Sequence, residues 1–110
     1  MLLRHLARPS SLLTERGRAF ARDLMATVRS SQDWGVSAGP QAAGARVELK
    51  NGWLSRSERG WRVHSTGHVR GAGRDYVVAV LTMDNKTMDR GIGVVEGVSR
   101  IIWRDLAPAG

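Results

Sequence analysis

The 110-residue sequence contains no cysteine, only two lysines and no apolar run approaching the roughly 18–20 residues of a membrane span. Without cysteine, a disulfide framework, a cysteine-ligated zinc site and a cysteine nucleophile are all excluded. The first eight residues mix apolar and basic side chains, and Arg4 interrupts them too early for the hydrophobic segment of a secretory signal. We therefore expect no export signal in this chain, and its compartment stays open.

Basic residues outnumber acidic ones, 17 against 10, which raises the question of an anionic partner. The excess is spread along the chain: residues 1–29 hold six arginines against two acidic residues, and no two basic residues are adjacent. Proteins that bind phosphate groups usually concentrate charge on one face or stripe. A small basic nucleic-acid-binding module is therefore the alternative interpretation, to be favoured by salt-dependent binding, and nucleic acid is not the partner that we expect.

The first 46 residues predict one helix followed by a loop. Ser10 or Ser11 is the expected N-cap of a helix from about residue 11 to 29. Apolar residues at helical spacing predict its buried stripe: Leu13, Gly17, Phe20, Leu24 and Val28. Glycine, serine and proline punctuate residues 30–46, which we expect to form a loop anchored by the ring of Trp34.

Three strands are predicted next, in residues 47–54, 61–70 and 76–82. In the first strand Val47, Leu49 and Asn51 share one face, while Glu48, Lys50 and Gly52 share the other. A glycine-containing hairpin at residues 71–74 and the short loops predict an antiparallel meander. The third run is almost continuously apolar, so we expect this strand to be buried on both faces.

A last helix is predicted from about Thr87 to Arg104, with Asp84 or Asn85 as its cap. Its apolar face is expected to consist of Met88, Ile92, Val95 and Ile102, widened by Val94, Val98 and Ile101. Glycines 91, 93 and 97 each cost about 1 kcal/mol relative to alanine, and close approach of the helix to the sheet would compensate. The predicted fold is α+β, a three-stranded antiparallel sheet with flanking N-terminal and C-terminal helices.

The sharpest candidate for chemistry is the triplet Lys50-Asn51-Gly52. A lysine on a strand beside a cleft offers a positive charge to a substrate carboxylate, and the glycine lets a ligand approach the backbone. Asn-Gly is also a turn dipeptide, so the triplet alone equally suits a solvated lysine ahead of a bend.

Three stretches resemble the serine β-lactamase and penicillin-binding protein superfamily: residues 34–39, residues 50–54 and residues 67–81. The order of lysine-bearing strand, polar loop, second strand, glycine-rich hairpin, apolar strand and final helix is similar to the carboxy-terminal portion of class A β-lactamases. The residues of these stretches are similar to those of the actinobacterial branch labelled "serine hydrolase". The resemblance covers roughly residues 20–106. It implies a partial β-lactamase/transpeptidase-like fold in residues 11–110, preceded by a tail in residues 1–10.

By this resemblance, Lys50 and Gly52 match the lysine and glycine of the family's Lys-Thr/Ser-Gly motif. Asn51 replaces the usual hydroxyl residue, and its amide is expected to donate to the substrate carboxylate instead. The residue after the glycine donates its N–H to the oxyanion hole in this family, which here implies the Trp53 amide rather than its ring. The implied substrate-binding set is Lys50, Asn51, Gly52 and Trp53, with a β-lactam or peptidoglycan-like small molecule as ligand and no metal or cofactor.

The family's other motifs, S-x-x-K with the nucleophile and S-D-N, are absent from this sequence. Three residues before the two lysines, Lys50 and Lys86, stand Val47 and Met83. We therefore expect no catalytic residue here and no activity of the chain alone, although the family acylates a serine with β-lactams or D-Ala-D-Ala-like amides and then hydrolyses the adduct. The chain is expected to be the last portion of a longer serine hydrolase, from a truncated reading frame, in a family usually exported.

Three smaller expectations concern the second and third predicted strands. His64 and His68 share a strand face about 13 Å apart, so the pair does not chelate one metal ion. Ser65 next to His64 faces the other side of the strand and forms no catalytic dyad. The segment from Tyr76 to Thr82 has no proline or charge to protect a strand edge, so it is expected to favour self-association.

Overall fold

The structure, a computed structural model, describes residues 2–9 and 12–108, apart from the side chain of residue 2, and contains one antiparallel sheet with helices on both faces. The elements are α1 Leu2–Ala7, α2 Glu15–Ala26, β1 Arg46–Arg56, β2 Gly60–Gly71, β3 Arg74–Asn85 and α3 Met88–Asp105, with 3₁₀ turns at Ser30–Gln32 and Gln41–Ala43. The strand order β1-β2-β3 makes the sheet a meander. The predicted α+β class and three-stranded antiparallel sheet are confirmed. In the described ranges no helix is long and apolar enough to cross a bilayer.

Helix α2 is shorter than the predicted helix of residues 11–29. It begins after Thr14, whose hydroxyl accepts a hydrogen bond from the Gly17 amide at 2.9 Å. The expected caps, Ser10 and Ser11, lie outside the described residues. The expected tail of residues 1–10 contains α1, and its separation from residues 11–110 stays a prediction.

Within α2 the predicted apolar stripe does not face a core, and Val28, which lies beyond the end of the helix, is the member of the stripe that packs against the core cluster. Phe20 is 66% exposed and Leu24 is 56% exposed, and no residue of the helix is buried. The helix instead contacts β1 through a buried ion pair that involves Arg22. Spacing identified the helix, but it could not show that a charged side chain attaches it to the sheet.

The hairpin between β2 and β3 follows the predicted glycine-containing turn. Gly71 pairs with Arg74, and the two loop residues have positive φ, +50° at Ala72 and +78° at Gly73. Positive φ at both loop residues is the requirement of a type I′ turn, whose twist matches that of paired strands. Glycine adopts positive φ without a steric penalty, so the penalty for positive φ remains at Ala72 and is avoided at Gly73.

The two faces of the sheet differ in chemistry. The face against α3, called the α3 face, carries an apolar core made of Val36, Leu49, Val63, Val80 and Val95. The opposite face, called the α2 face, carries Glu48, Lys50 and His68 and contacts α1 and α2. Alternation along β1 therefore separates Leu49 from Lys50, as the sequence predicts.

Strand β3 is not buried on both faces, so that prediction is wrong. Val80, on the α3 face, is 9% exposed, whereas Leu81 and Met83 on the α2 face are 68% and 64% exposed. The physical reason is coverage: β3 pairs only with β2 in the described part of the chain, and α1 reaches only its first residues. A continuous apolar run has no periodicity from which the exposed face can be recognised.

The N-cap of helix α3 lies later in the sequence than predicted, and the helix buries a narrower apolar face than expected. Its N-cap is Thr87, whose hydroxyl accepts from the Arg90 amide at 3.0 Å. Asp84 and Asn85 end β3 instead, because the Asn85 amide donates to the Trp61 carbonyl at 3.0 Å. Val94 and Ile101, expected to widen the buried face, are 45% and 51% exposed.

Close approach of α3 to the sheet explains one of its three glycines. A Cβ atom on Gly91 would lie 2.5 Å from Cγ2 of Val63 in β2, closer than real Cβ contacts allow. A Cβ on Gly93 or Gly97 would meet nothing within 4 Å. The expected compensation for helical glycine therefore applies at Gly91 alone.

Replacing Gly91 by alanine is expected to lower the free energy of unfolding by about 1–3 kcal/mol, because overpacking outweighs the better helix propensity of alanine. The matched control is Gly93→Ala in the same helix, where an open position should let alanine add up to about 1 kcal/mol. Denaturant unfolding of both variants measures the difference. Equal stabilisation by both substitutions would contradict the close packing of α3 on β2.

Candidate functional site

The structure places Lys50 in the middle of β1, an edge strand, opposite Thr66 of β2. Its side chain is exposed on the α2 face, and its ammonium donates to the Asn51 carbonyl at 2.6 Å. Extended backbone, rather than a turn, therefore holds the lysine. A cation in this position is open to a ligand that approaches the sheet from the α2 face.

Asn51 has a structural role that the sequence does not predict. Its side chain is 4% exposed on the α3 face, and its amide nitrogen donates to the carbonyls of Gln32, at 3.0 Å, and Trp34, at 2.8 Å. Both N–H groups are used, so the expected donation to a substrate carboxylate is corrected: it would break one of these bonds and needs the opposite face of the strand. Asn51 instead ties the segment before β1 to the sheet.

The segment tied by Asn51 approaches the sheet closely at Gly35. That residue has φ of +106°, and a Cβ there would lie 2.2 Å from Oγ of Ser65 and 3.3 Å from Oδ1 of Asn51. The Ser65 hydroxyl accepts a hydrogen bond from the Val36 amide at 3.0 Å. The Ser65 hydroxyl therefore helps to hold the segment against the sheet.

Gly52 and Trp53 complete the expected set, and they lie on opposite faces of β1. Gly52 shares the α2 face with Lys50, and an added Cβ would meet nothing within 4 Å, so local packing leaves open space beside the lysine. The Trp53 ring, 40% exposed, pairs with the Trp34 ring at a centroid distance of 5.9 Å and an angle of 53°. The ring thus has a packing role of the tilted aromatic kind.

A buried charge cluster, which sequence reasoning missed, adjoins Lys50 on the α2 face. Glu48 is 2% exposed and accepts from Nε of Arg22 at 2.9 and 3.0 Å, from Nε of Arg46 at 2.9 Å and from Nδ1 of His68 at 3.0 Å. Burial raises the pKa of Glu48, but the hydrogen bonds from the two arginines and His68 outweigh it, so the pKa lies below its ordinary value. The structure pairs Glu48 directly with His68 across β1 and β2, a register that the local sequence pattern does not contain.

His68 extends this cluster to the third strand. Its Nε2 lies 2.7 Å from Oδ1 of Asp75, while its Nδ1 faces Glu48. The imidazole ring of His68 therefore lies between two carboxylates, one on each neighbouring strand. The hydrogen bond with His68 lowers the pKa of Asp75 below its ordinary value.

The other histidine of the pair, His64, serves the sheet. Its Nδ1 accepts a hydrogen bond from the Thr82 amide of β3 at 3.3 Å. Among the residues that the structure describes, no cluster of three or more histidine, aspartate and glutamate side chains is arranged to hold a metal ion. The imidazoles therefore have contacts to backbone and carboxylates rather than to each other.

An open groove of about 710 Å³ lies at the β1–β2 turn, away from Lys50. Its charged lining residues are Arg56, Glu58, Arg59, Arg62, Asp84 and Lys86. Two carboxylates interrupt the four cations, and the groove is shallow. Size alone does not make it the functional site, because the lysine-bearing strand and its open glycine lie outside it.

Comparison with known proteins gives a relationship at the level of fold. No protein-family model and no curated protein sequence matches this chain. A solved structure, the penicillin-binding protein PBP-A, is similar with a TM-score of 0.69 and 22% sequence identity over 94% of this chain. The chain spans 36% of the length of PBP-A. The fold is therefore a partial penicillin-binding-protein-like fold, as the resemblance of the sequence implies.

The charge cluster predicts a stability that falls in acid. Because Glu48 and Asp75 have lowered pKa values in the folded chain, their contribution is complete above the ordinary carboxyl value of about 4 and is lost as pH falls through the lower folded value. Glu48→Gln should cost about 2–3 kcal/mol at neutral pH, since two guanidinium groups lose their carboxylate partner, and should reduce the loss of stability at acidic pH.

Denaturant unfolding at a series of pH values measures both effects. The matched control is Glu58→Gln in the exposed β1–β2 turn, which should stay within about 0.5 kcal/mol of the unmodified chain. Identical pH dependence of the unfolding free energy in the Glu48 variant and the unmodified chain would show that the buried carboxylate does not cause the loss of stability in acid.

Proposed function

We propose that this chain forms the carboxylate-anchoring side of the substrate cleft in a β-lactamase or penicillin-binding-type serine hydrolase. The observation that carries the proposal is Lys50, exposed on an edge strand beside the open space at Gly52, within a penicillin-binding-protein-like fold. In this function the Lys50 ammonium attracts the carboxylate of a β-lactam or D-Ala-D-Ala-like ligand. The assignment to class A and to the actinobacterial branch is part of the same proposal and rests on residues 34–39, 50–54 and 67–81.

The uncovered part of the α2 face supports a cleft closed by further protein. Helices α1 and α2 lie over the part of this face that holds Glu48 and His68. Towards the β1–β2 turn, by contrast, Lys50 is exposed and Leu54 is 57% exposed. An exposed apolar side chain on the same face as the cation, four residues further along β1, suits packing against a second segment, which in the proposed function carries the reactive serine.

In this proposal the chemical roles are divided between β1 of this chain and a second segment that carries the nucleophile. Residues of β1 bind and orient the substrate, with Lys50 on its carboxylate and the Trp53 N–H as a donor to the developing oxyanion. The nucleophile and its base come from elsewhere, because the chain has no S-x-x-K motif. Asn51 stays outside the ligand shell and holds β1 from the α3 face.

The first consequence is that the chain alone is catalytically silent. Incubation with a chromogenic β-lactam should give no hydrolysis above background, and intact-mass spectrometry should show no covalent adduct. Adding a separately expressed polypeptide with S-x-x-K and S-D-N motifs supplies the missing groups. An acyl adduct on a serine of this chain alone would contradict the proposed division.

The second consequence is weak, non-covalent recognition through Lys50. Amide NMR during a benzylpenicillin titration should show shifts at residues 50–53, and Lys50→Ala should weaken binding about tenfold, or 1.4 kcal/mol. Lys86→Ala is the matched control, since Lys86 is the only other lysine and borders the distant groove.

Equal effects of the two lysine variants, or shifts confined to the groove, would overturn the assignment of Lys50. Duplex DNA supplies the contrasting probe. Binding that weakens steeply with salt and depends on Arg56 and Arg59 rather than Lys50 would favour the basic nucleic-acid-binding module.

A further inference from the structure

The dipeptide Asn51-Gly52 combines an amide side chain with a following residue that has no side chain to hinder attack by its own backbone nitrogen. The chain has two asparagines, and the other, Asn85, precedes Lys86, whose side chain does hinder that attack. Asn51 is therefore the asparagine at which this chain can most readily lose its side-chain amide through its own backbone chemistry.

The reaction is a hydrolytic deamidation, and water is its only co-reactant. The Gly52 amide nitrogen gives up its proton to solvent and forms a bond to Cγ of Asn51, and the negative charge passes to Oδ1. When the Cγ–oxygen double bond forms again, the Cγ–Nδ2 bond breaks, and the nitrogen takes a proton and leaves as ammonia. Water then opens the five-membered imide at either carbonyl carbon, which gives aspartate or isoaspartate.

The native strand holds the attacking nitrogen in its ladder. The Thr66 hydroxyl of β2 donates to the Lys50 carbonyl at 3.2 Å, so the backbone groups of Lys50 point towards β2. Backbone direction alternates along a strand, so Gly52 also directs its N–H towards β2, opposite His64. Ring closure would break this pairing and rotate Asn51 out of its extended conformation.

The Asn51 side chain is held on the α3 face of the strand. It is 4% exposed, and Nδ2 donates to the carbonyls of Gln32, at 3.0 Å, and Trp34, at 2.8 Å. No residue in the described part of the chain donates to the buried Oδ1, so the negative charge of the tetrahedral intermediate would have no stabilising partner. Native packing therefore opposes both the attack on Cγ and the departure of ammonia.

The products of the reaction do not fit the native site. An aspartate carboxylate has no donor for the Gln32 and Trp34 carbonyls and would place a buried charge against two acceptors. Isoaspartate carries the chain through its side-chain carbon, so one added backbone atom disturbs the pairing register at Gly52. Either product therefore separates the segment before β1 from the sheet and opposes a return to the native structure.

We propose that Asn51-Gly52 is a deamidation site that the folded strand blocks and that opening of β1 makes reactive. Within the described residues β1 pairs with β2 alone, so its opening breaks fewer contacts than opening of the central strand. Reaction during such an opening removes the molecule from the native population. The chemical lifetime of the strand that carries Lys50 therefore depends on how often β1 opens, whatever the function of that lysine.

Peptide mapping by mass spectrometry, during incubation in mildly alkaline buffer, tests the proposal. In urea the unmodified chain should deamidate at Asn51 while Asn85 stays intact, and in the folded chain the reaction at Asn51 should be at least about tenfold slower. Gly52→Ala is the matched control for the chemistry. A Cβ there meets nothing within 4 Å, so the fold should persist while the reaction in urea slows about tenfold. Equal rates at Asn51 in the folded and unfolded chains would overturn the proposal.

Amide hydrogen exchange at Gly52 measures the opening of β1 in the same samples. With small additions of urea, the exchange rate and the deamidation rate of the folded chain should rise together. A deamidation rate that stays constant while exchange accelerates would place the reaction in the native strand and contradict the proposed requirement for opening.

The substitution Asn51→Asp tests the claim that the product does not fit. It should lower the midpoint of denaturant unfolding, because a carboxylate replaces the two donors of the native amide. Gln41→Glu adds the same charge at an exposed position and should leave the midpoint unchanged. If Asn51→Asp unfolds at the midpoint of the unmodified chain, the native site accepts the product and the proposed irreversible loss is wrong.

Discussion

The buried carboxylate of Glu48 is the contact on which the arrangement of the α2 face depends. It joins Arg22 of α2, Arg46 of β1 and His68 of β2, and His68 in turn contacts Asp75 of β3. Glu48 and His68 together thereby link a helix to every strand of the sheet. Burial of a charge is costly unless it is paired and hydrogen-bonded, and both Glu48 oxygens have cationic donors. The cluster therefore joins α2 to the sheet through the ion pair of Arg22 with Glu48.

The strand that carries Lys50 is held from its other face. Alternation puts Leu49 and Asn51 into the α3 face, where Leu49 enters the apolar core and Asn51 binds the backbone of residues 32 and 34. The exposed cation between them is therefore supported by two buried neighbours. This explains why an asparagine suits the second position of the triplet: its two donors match two carbonyl groups.

Regular alternation and turn chemistry made much of the fold predictable from the sequence. The strand faces of β1 and the turn at Ala72 and Gly73 follow from residue type and spacing. The helix caps were less predictable. Thr14 and Thr87 are the observed N-caps, but nearby residues have equal capping ability, so only the observed ends of the helices distinguish them. The exposed face of β3 could not be inferred, since a uniformly apolar strand has no polar side to mark it.

The candidate site, like the fold, was only partly predictable from the sequence. Lys50 and Gly52 share a face because strand geometry requires it, and the sequence was sufficient for that. The partnership of Glu48, His68 and Arg22 depends on pairing between strands and on the position of a helix, which local patterns do not contain. Asn51 differed from expectation because its role is decided by a distant loop that packs on β1.

The polar attachment of α2 gives the native state two levels of cooperativity. The sheet and α3 share a buried apolar core, whereas α2 contributes no buried residue to it. Local opening of α2 therefore exposes little apolar surface and requires far less free energy than global unfolding. Such an opening also hydrates Glu48, so the molecule can lose its buried ion cluster while the strand that carries Lys50 stays folded.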